Sequence, residues 1–338
     1  MKLSIAEALR KAIHGEMARD ERVFCIGEDI GIPGGYGGAF TVTLGIEKDF
    51  RDRMIDTPVS EIGIFGVACG AAMMGMRPIA DVQYGDFLFL AMDQVVDQIA
   101  KMRYMSGGQL TMPVVIRAPV GVTGRGAQHA QSLEPIFLSC PGLKIVAPAT
   151  AYDAVGLLRA AVRDDDPVMI FEHKLLYGSK GPRQERGVID ASSEIPKEDY
   201  VIPIGKGIVR REGADVTIVA SLLMMHYSLT AAAMLADEGI GCEVIDPRSI
   251  WPLDMDLITE SVRKTGRIVI VEESPKQGGI GAEIGVQISE RIPDYLRAPV
   301  TRVAAPNTPA PFSPVLEKEY VPQPQRIASS VKKLVEEF

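Results

Sequence analysis

Met54-Ile55-Asp56-Thr57-Pro58-Val59-Ser60-Glu61 leads into Ile62 to Met76, a glycine-rich run of 15 residues without a charge. A short apolar segment ends at Asp56, a turn runs through Thr57-Pro58, and Ser60 is placed to cap a helix expected from Glu61 to Met76. That run falls short of the roughly 20 apolar residues needed to cross a bilayer, so it reads as a buried helix. Gly66, Gly70 and Ala71 would let another backbone come close to it. A strand that gives way to an apolar helix through a polar junction belongs to a parallel α/β sheet, where ligands collect at the carboxyl ends of the strands.

The same alternation continues on both sides. Val23 to Ile26, Met54 to Asp56, Pro78 to Val82, Val114 to Arg117, Lys144 to Ala147 and Val168 to Phe171 read as strands. Ser4 to Arg19, Glu61 to Met76, Met92 to Met105 and Tyr152 to Arg163 read as helices. From Tyr177 to Ile202 glycine, proline and polar residues interrupt the pattern. It resumes with strands at Val216 to Ala220, Cys242 to Ile245, Ile268 to Val271 and Val300 to Ala304, and helices at His226 to Glu238, Asp254 to Thr265 and Gly279 to Arg291. A proline-rich stretch (Pro306, Pro309, Pro311, Pro314) then precedes a terminal helix from about Gln325. The expectation is an α/β protein of two parallel-sheet domains, residues 1–180 and 205–338, joined by a linker at 181–204.

The 338 residues, with 46% hydrophobic and 24% charged, suit two ordinary globular domains. A net charge of −8 argues against a polyanionic partner, so no nucleic acid is expected. Cys25, Cys69, Cys140 and Cys242 lie too far apart for a zinc or thioredoxin-like motif and read as reduced thiols of a cytoplasmic protein. Met1 runs almost directly into the first helix, so no secretory signal is expected, and no membrane span either.

Three segments could carry chemistry. Glu61 heads an uncharged helix and is either a poorly hydrated acid or hydrogen-bond partner, or an acidic residue completing a first helical turn. His129 lies in Gly124-Arg125-Gly126-Ala127-Gln128-His129-Ala130-Gln131, a glycine-rich loop after a strand, suited to proton transfer or simply exposed. Among the other histidines, His14 and His226 read as surface or boundary residues, and His173 follows a strand with no clear role. Gly31-Ile32-Pro33-Gly34-Gly35-Tyr36-Gly37-Gly38 follows a strand but has neither a P-loop lysine nor dinucleotide spacing, and reads as a permissive, mobile loop.

Taken together, Gly27-Glu28-Asp29, Asp56 to Gly63, Arg77-Pro78-Ile79, Gln83-Tyr84-Gly85-Asp86-Phe87, Asp93-Gln94, Arg103 to Gly108, Gln128-His129 and Cys140 to Lys144 resemble, in order along the chain, the beta subunits of thiamine-diphosphate-dependent 2-oxoacid dehydrogenases. The resemblance implies a pyrimidine-binding fold followed by a transketolase C-terminal-like domain, in a heterotetramer of two alpha and two beta subunits with thiamine diphosphate between an alpha and a beta chain. In that family the glutamate matching Glu61 hydrogen-bonds the pyrimidine nitrogen and so promotes loss of the thiazolium proton. Gln83 and Phe87 match the lining of the aminopyrimidine pocket, Glu28 an acidic position beside it, and His129 the histidine that serves passage of the acyl group to a lipoyl arm.

The resemblance also implies a potassium ion at Val114, Ala161, Val162, Asp164 and Asp166, mainly on backbone carbonyls. Asp164-Asp165-Asp166 can equally be a solvated turn. No Gly-Asp-Gly occurs in the chain, so Mg²⁺ and the cofactor's diphosphate would be held by the alpha subunit. The implied activity is oxidative decarboxylation of a 2-oxoacid with transfer to lipoyl on a dihydrolipoyl acyltransferase core. Acetoin cleavage is the close alternative, and Phe171 to Tyr177 resembles that branch. Ala130 stands where many relatives have serine. A fragment of a single-chain transketolase-type enzyme would carry its own diphosphate domain, and a non-catalytic scaffold subunit would not need Glu61.

Overall fold

Val23-Phe24-Cys25-Ile26-Gly27 is buried along its whole length, as a strand covered on both faces must be. Successive side chains face opposite sides: Val23 and Cys25 enter one apolar layer, Phe24 and Ile26 the other. Ile79 and Ala80, then Val115 and Ile116, divide in the same way. The protein, seen in a computed structural model that describes residues 1–178 and 189–338, is built on this division. Of the expected linker at 181–204, residues 181–188 lie outside the described residues.

In chain order the first domain contains β1 (Lys2–Leu3), α1 (Ile5–Arg19), β2 (Val23–Gly27), β3 (Met54–Asp56), α2 (Glu61–Met73), β4 (Arg77–Asp81), α3 (Met102–Met105), β5 (Val115–Val120), α4 (Glu134–Leu138), β6 (Lys144–Val146), α5 (Ala151–Arg163) and β7 (Val168–His173). After β8 (Ser193–Glu194) come β9 (Ile208–Arg211), β10 (Val216–Ala220), α6 (Leu222–Ala236), β11 (Cys242–Asp246), β12 (Ser249–Trp251), α7 (Met255–Thr265), β13 (Ile268–Pro275), α8 (Ile280–Arg291), β14 (Thr301–Ala305), α9 (Pro314–Tyr320) and α10 (Pro324–Glu337).

The larger sheet has the order β12-β6-β7-β5-β4-β2-β3, and the smaller β14-β13-β10-β11-β9. Both are parallel apart from one edge: β12 runs antiparallel to β6, and β9 antiparallel to β11. The expected pair of parallel sheets is present, and each carries one antiparallel strand at an edge. Strand β12 also comes from the second domain's stretch of chain yet completes the first domain's sheet, so the two domains share a strand as well as their apolar layers.

Several boundaries moved for physical reasons. β5 runs past Arg117 through Pro119 because β4 ends opposite Arg117, so the missing proline N–H interrupts no ladder on that side. The expected helix Met92 to Met105 is a π-helical segment, Asp93–Ile99, followed by the short α3. α6 begins at Leu222 and not His226: Ser221 stands at its N-cap, directly after β10, and the apolar Leu222 to Met225 form its first turn. The proline-rich stretch holds α9, with Pro314 in its first turn, where proline is tolerated.

Helix α2 also departs from expectation. Ile64, Phe65, Ala68, Cys69 and Ala72 pack inward, but Ile62, Val67 and Met74 are 52%, 53% and 84% exposed. One face of this helix is buried and the other bare. Phe89, Leu90, Tyr104 and Met105, from the next segments of chain, are exposed as well. Among the described residues no helix is long and apolar enough to cross a membrane, and all four cysteines are free thiols.

Candidate active site

β5, β4, β2 and β3 lie side by side, and the segments leaving their carboxyl ends carry Glu28, Glu61, Gln83, Phe87 and His129. Thr57 follows β3 and its amide donates to the Gly27 carbonyl at 3.0 Å, which places the start of α2 beside the end of β2. Ser60 caps α2 by accepting from the Gly63 amide at 3.3 Å. Glu61 follows directly, 6% exposed, and no hydrogen bond or ion pair with another described residue reaches its carboxylate. That is unusual, because a buried carboxylate is ordinarily paired or hydrogen-bonded.

Glu28 stands just beyond β2, half-buried. Its pKa is raised by burial first, and then by the negative charges of Glu61, Asp29 and Asp81. Glu28 and Glu61 therefore share one acidic corner. Gln83, after β4, donates its side-chain amide to the Glu28 carbonyl at 2.8 Å, tying the ends of β2 and β4 together. The neighbouring glycine-rich loop is fixed by backbone bonds: the Gly38 amide donates to Asp29 at 2.9 Å, and the Thr43 amide to Gly37 at 3.2 Å. Gly37 has φ +69, and a Cβ there would lie 2.1 Å from the Leu44 nitrogen. Close packing and a positive φ together account for glycine at that position, in keeping with the permissive backbone expected of the loop.

His129 is neither bare nor free to swing. Its ring meets Tyr84 edge-on at 4.8 Å and Phe87 at 5.3 Å, and Tyr84 meets Phe87 at 5.7 Å. Its carbonyl accepts from the ammonium of Lys174, a residue only 1% exposed whose Nζ also sits 5.2 Å from the Tyr84 ring centroid. The structure thus groups Glu28, Glu61 and Gln83 in one corner, and Phe87 and His129 in an aromatic cluster that Tyr84, next to Gln83 in the chain, connects to it.

Beneath this corner lies a second, fully paired set of charges. Arg117 on β5 grips Glu172 on β7 with two bonds of 2.9 and 2.6 Å and also reaches Asp81 at the end of β4. Tyr177 donates to the same Glu172 at 2.6 Å. Burial pushes the Asp81 carboxyl up to about 6 despite the opposing pull of Arg117.

The positions implied for potassium lie at the far end of the sheet, around the carboxyl end of α5. There the Arg77 guanidinium donates to the Val162 carbonyl at 2.7 Å and to the Asp164 carbonyl. The Asp164 amide donates to Ala161 at 3.3 Å, and the Val168 amide to Val114 at 3.0 Å. Lys144 holds Asp164 at 2.8 Å and Asp166 at 3.0 Å, and Arg103 also pairs with Asp166. The negative end of α5 is therefore met by three side-chain cations. Among the described residues no group of three or more His, Cys, Asp or Glu side chains is arranged to hold a metal.

Tyr84, Lys174 and Glu273 contact the His129 loop or its ring and were not singled out as candidates from the sequence. Lys174 sits inside the run Phe171 to Tyr177 already singled out as branch-like. Glu273 belongs to a pair of consecutive acids ending an apolar strand, a pattern that could have drawn notice. His173 is buried and hydrogen-bonded to Glu273 at 2.8 Å, and His226 donates from Nε2 to the Ala149 carbonyl across the domain boundary at 2.8 Å.

A sheet parallel but for one edge strand, with a buried glutamate at a strand-to-helix junction and a second open α/β sheet after it, is here the fold of a transketolase-type protein. Residues 1–180 match the family model for the transketolase pyrimidine binding domain, and residues 205–327 that for the transketolase C-terminal domain. The chain belongs to the beta subunits of the 2-oxoacid and acetoin dehydrogenases, a branch of that class. It is 44% identical to the 2-oxoisovalerate dehydrogenase subunit beta of Bacillus subtilis, over 99% of both chains. It is 45% identical to the acetoin:2,6-dichlorophenolindophenol oxidoreductase subunit beta of Cupriavidus necator, over 98% of this chain and 97% of that one. The pyruvate dehydrogenase E1 component subunit beta of Bacillus subtilis is 42% identical over 99% of both. Among solved structures, a split-gene transketolase described as an inactive beta4 tetramer aligns with TM-score 0.79 and 26% identity, covering 99% of this chain and 98% of that chain.

Proposed function

We propose that this chain forms the pyrimidine half of a thiamine-diphosphate site and, with an alpha subunit, carries out oxidative decarboxylation of a 2-oxoacid or the cleavage of acetoin. The observation that carries the reading is Glu61, a buried carboxylate with no partner among the described residues, held at the carboxyl edge of a sheet by its own cap. A ring nitrogen that shares a proton with it would supply what the fold leaves out. Bound there, thiamine diphosphate would supply an acidic C–H whose deprotonated carbon is nucleophilic toward a carbonyl.

This chain's residues do the rest. Glu61 holds or returns a proton at the ring nitrogen. Gln83, anchored on the Glu28 carbonyl, and Phe87 bound the pocket. Glu28, its carboxyl raised by burial and by Glu61, adds a second acid that stays protonated more readily than a solvated one. His129, fixed between Tyr84 and Phe87, serves transfer of the acyl group to a lipoyl arm carried by a dihydrolipoyl acyltransferase core.

The alpha subunit would hold Mg²⁺ and the diphosphate, since no Gly-Asp-Gly occurs here. The bare face of α2 with Ile62, Val67 and Met74 is the surface we assign to contacts within a heterotetramer of two alpha and two beta chains, because monomers rarely leave such apolar surface exposed. A potassium ion at Val114, Ala161, Val162, Asp164 and Asp166 belongs to the same proposal. A carbonyl has two lone pairs, so Val162 and Asp164 can accept from Arg77 and still bind a cation.

The test is reconstitution with an alpha chain carrying the Gly-Asp-Gly motif, offered pyruvate, branched-chain 2-oxoacids and acetoin with thiamine diphosphate and Mg²⁺. Turnover of at least one substrate by the pair, and of none by either chain alone, is expected. An inactive pair that nevertheless assembles and takes up cofactor would refute the reading. Replacing potassium by choline should lower the melting temperature of the assembly; an unchanged one would remove the potassium ion.

A further inference from the structure

The loop that carries His129 leaves β5 at Gly121 and closes on itself where the Gly121 amide donates to the Gln131 carbonyl at 3.2 Å. Three contacts from outside pin it. Asp86 accepts from the Gln131 side-chain amide at 2.8 Å. Lys174 donates to the carbonyl of His129 itself. Glu273, a residue of β13 in the second domain, accepts from the Val122 amide at 2.6 Å with one carboxylate oxygen.

The other oxygen of Glu273 meets His173 Nε2 at 2.8 Å. The Leu175 amide donates to His173 Nδ1 at 3.2 Å, which leaves Nδ1 as acceptor and makes Nε2–H the donor to Glu273. His173 and Lys174 are consecutive, so one short segment reaches Glu273 with its first side chain and His129 with its second. The ring of His173 also packs against Gly121 so tightly that a Cβ there would lie 2.1 Å from Nε2. Glycine at 121, with φ +93, is what allows the histidine to sit under the root of the loop.

We infer that Glu273 and His173 are positioning residues for His129: the second domain fixes the root of the loop through Glu273, and the His173–Lys174 pair transmits that position to the imidazole. The inference rests on the reading of His129 given above. It gives the second domain a direct part in acyl transfer, in addition to completing the sheet. Both carboxylate oxygens are used, so a neutral glutamine cannot accept from Val122 and His173 together without presenting its own N–H₂ to one of them.

The experiment uses the assembled alpha–beta enzyme and two rates: substrate oxidation with 2,6-dichlorophenolindophenol as artificial acceptor, and reductive acylation of a free lipoyl domain. For Glu273→Gln the ratio of acylation to artificial-acceptor rate should fall roughly ten- to hundred-fold, the scale of a misplaced catalytic group. His173→Leu should lower the same ratio. His173→Gln, which keeps a donor at the Nε2 position, should restore most of it.

A purely structural role would lower both rates together and leave the ratio within about two-fold of wild type, which overturns the inference. If Glu273→Gln fails to assemble, the His173→Leu and His173→Gln pair decides the matter alone, and equal ratios in those two overturn it. His129→Ala measured alongside separates the two levels. An unchanged ratio in His129→Ala refutes the role of His129, whereas a changed ratio there with an unchanged one in Glu273→Gln refutes only the positioning.

Discussion

Two acidic clusters neighbour each other in the first domain, near enough for the charge of Asp81 to act on Glu28, and they are built on opposite terms. Asp81 and Glu172 are closed off by Arg117, with Tyr177 completing the network, so each buried group is matched by another from the same chain. Glu28 and Glu61 have each other for neighbours and no cation among the described residues. Burial penalises both clusters, but only the first is offset internally. A network that satisfies itself is a scaffold, whereas a buried acid left without a partner at the mouth of a sheet is ready for one from outside. The difference is the ground on which we propose a structural part for Arg117 and a chemical part for Glu61, and each half can be broken separately.

The largest effect is expected from Glu61→Gln in the assembled enzyme. The amide keeps the shape but cannot exchange a proton, so turnover should fall by roughly 10²- to 10⁴-fold, while the melting temperature changes little. Steady-state rates beside a thermal melt would check this. Turnover near wild type would return Glu61 to the role of an ordinary first-turn acid and end the contrast with Arg117.

Arg117→Met attacks the other half. It leaves Glu172 and Asp81 buried without their cation, which typically costs about 3–5 kcal/mol. Denaturant unfolding should show that loss before any cofactor is added. A variant that is as stable as wild type but inactive would mean that Arg117 acts in the site and not beneath it.

The architecture was legible because period and burial agree. The strands that begin at Val23, Val216 and Ile268 are almost wholly buried and lie inside sheets covered on both faces, and Ser60-Glu61 opens a helix as its cap chemistry requires. What escaped was set by contacts distant in sequence. Three residues, Ser249 to Trp251, carry no periodic signal and become a strand only by docking on β6. The bare face of α2 could not be told from a buried one because the helix is apolar all round, so the sequence has no polar stripe to mark the side left open. In the site, residue types pointed to Glu61 and His129, but the clasp of Lys174 and Glu273 on the histidine loop spans 45 and 151 residues of chain and exists only once the domains have packed.

A third acid sharpens the contrast, because it is neither paired like Glu172 nor exposed to an outside partner like Glu61. Glu134, at the start of α4, is buried near Glu272 and Glu273 of the second domain, and burial, reinforced by those two charges, pushes its carboxyl from an ordinary 4.5 to about 8. The unfolded chain would release this proton near pH 4.5, whereas the folded chain keeps it to about pH 8. Between those limits the folded state binds more protons, so stability falls as pH rises, by up to about 1.4 kcal/mol per pH unit from this group, and levels off above the folded value. Glu134→Gln should keep the hydrogen-bonding shape and remove that slope, so that the variant gains on the wild type steadily from pH 5 to pH 8 in chemical denaturation. Parallel pH profiles for the two proteins would show that Glu134 ionises in place, and that a buried acid at this domain boundary finds the compensation that Glu61 lacks.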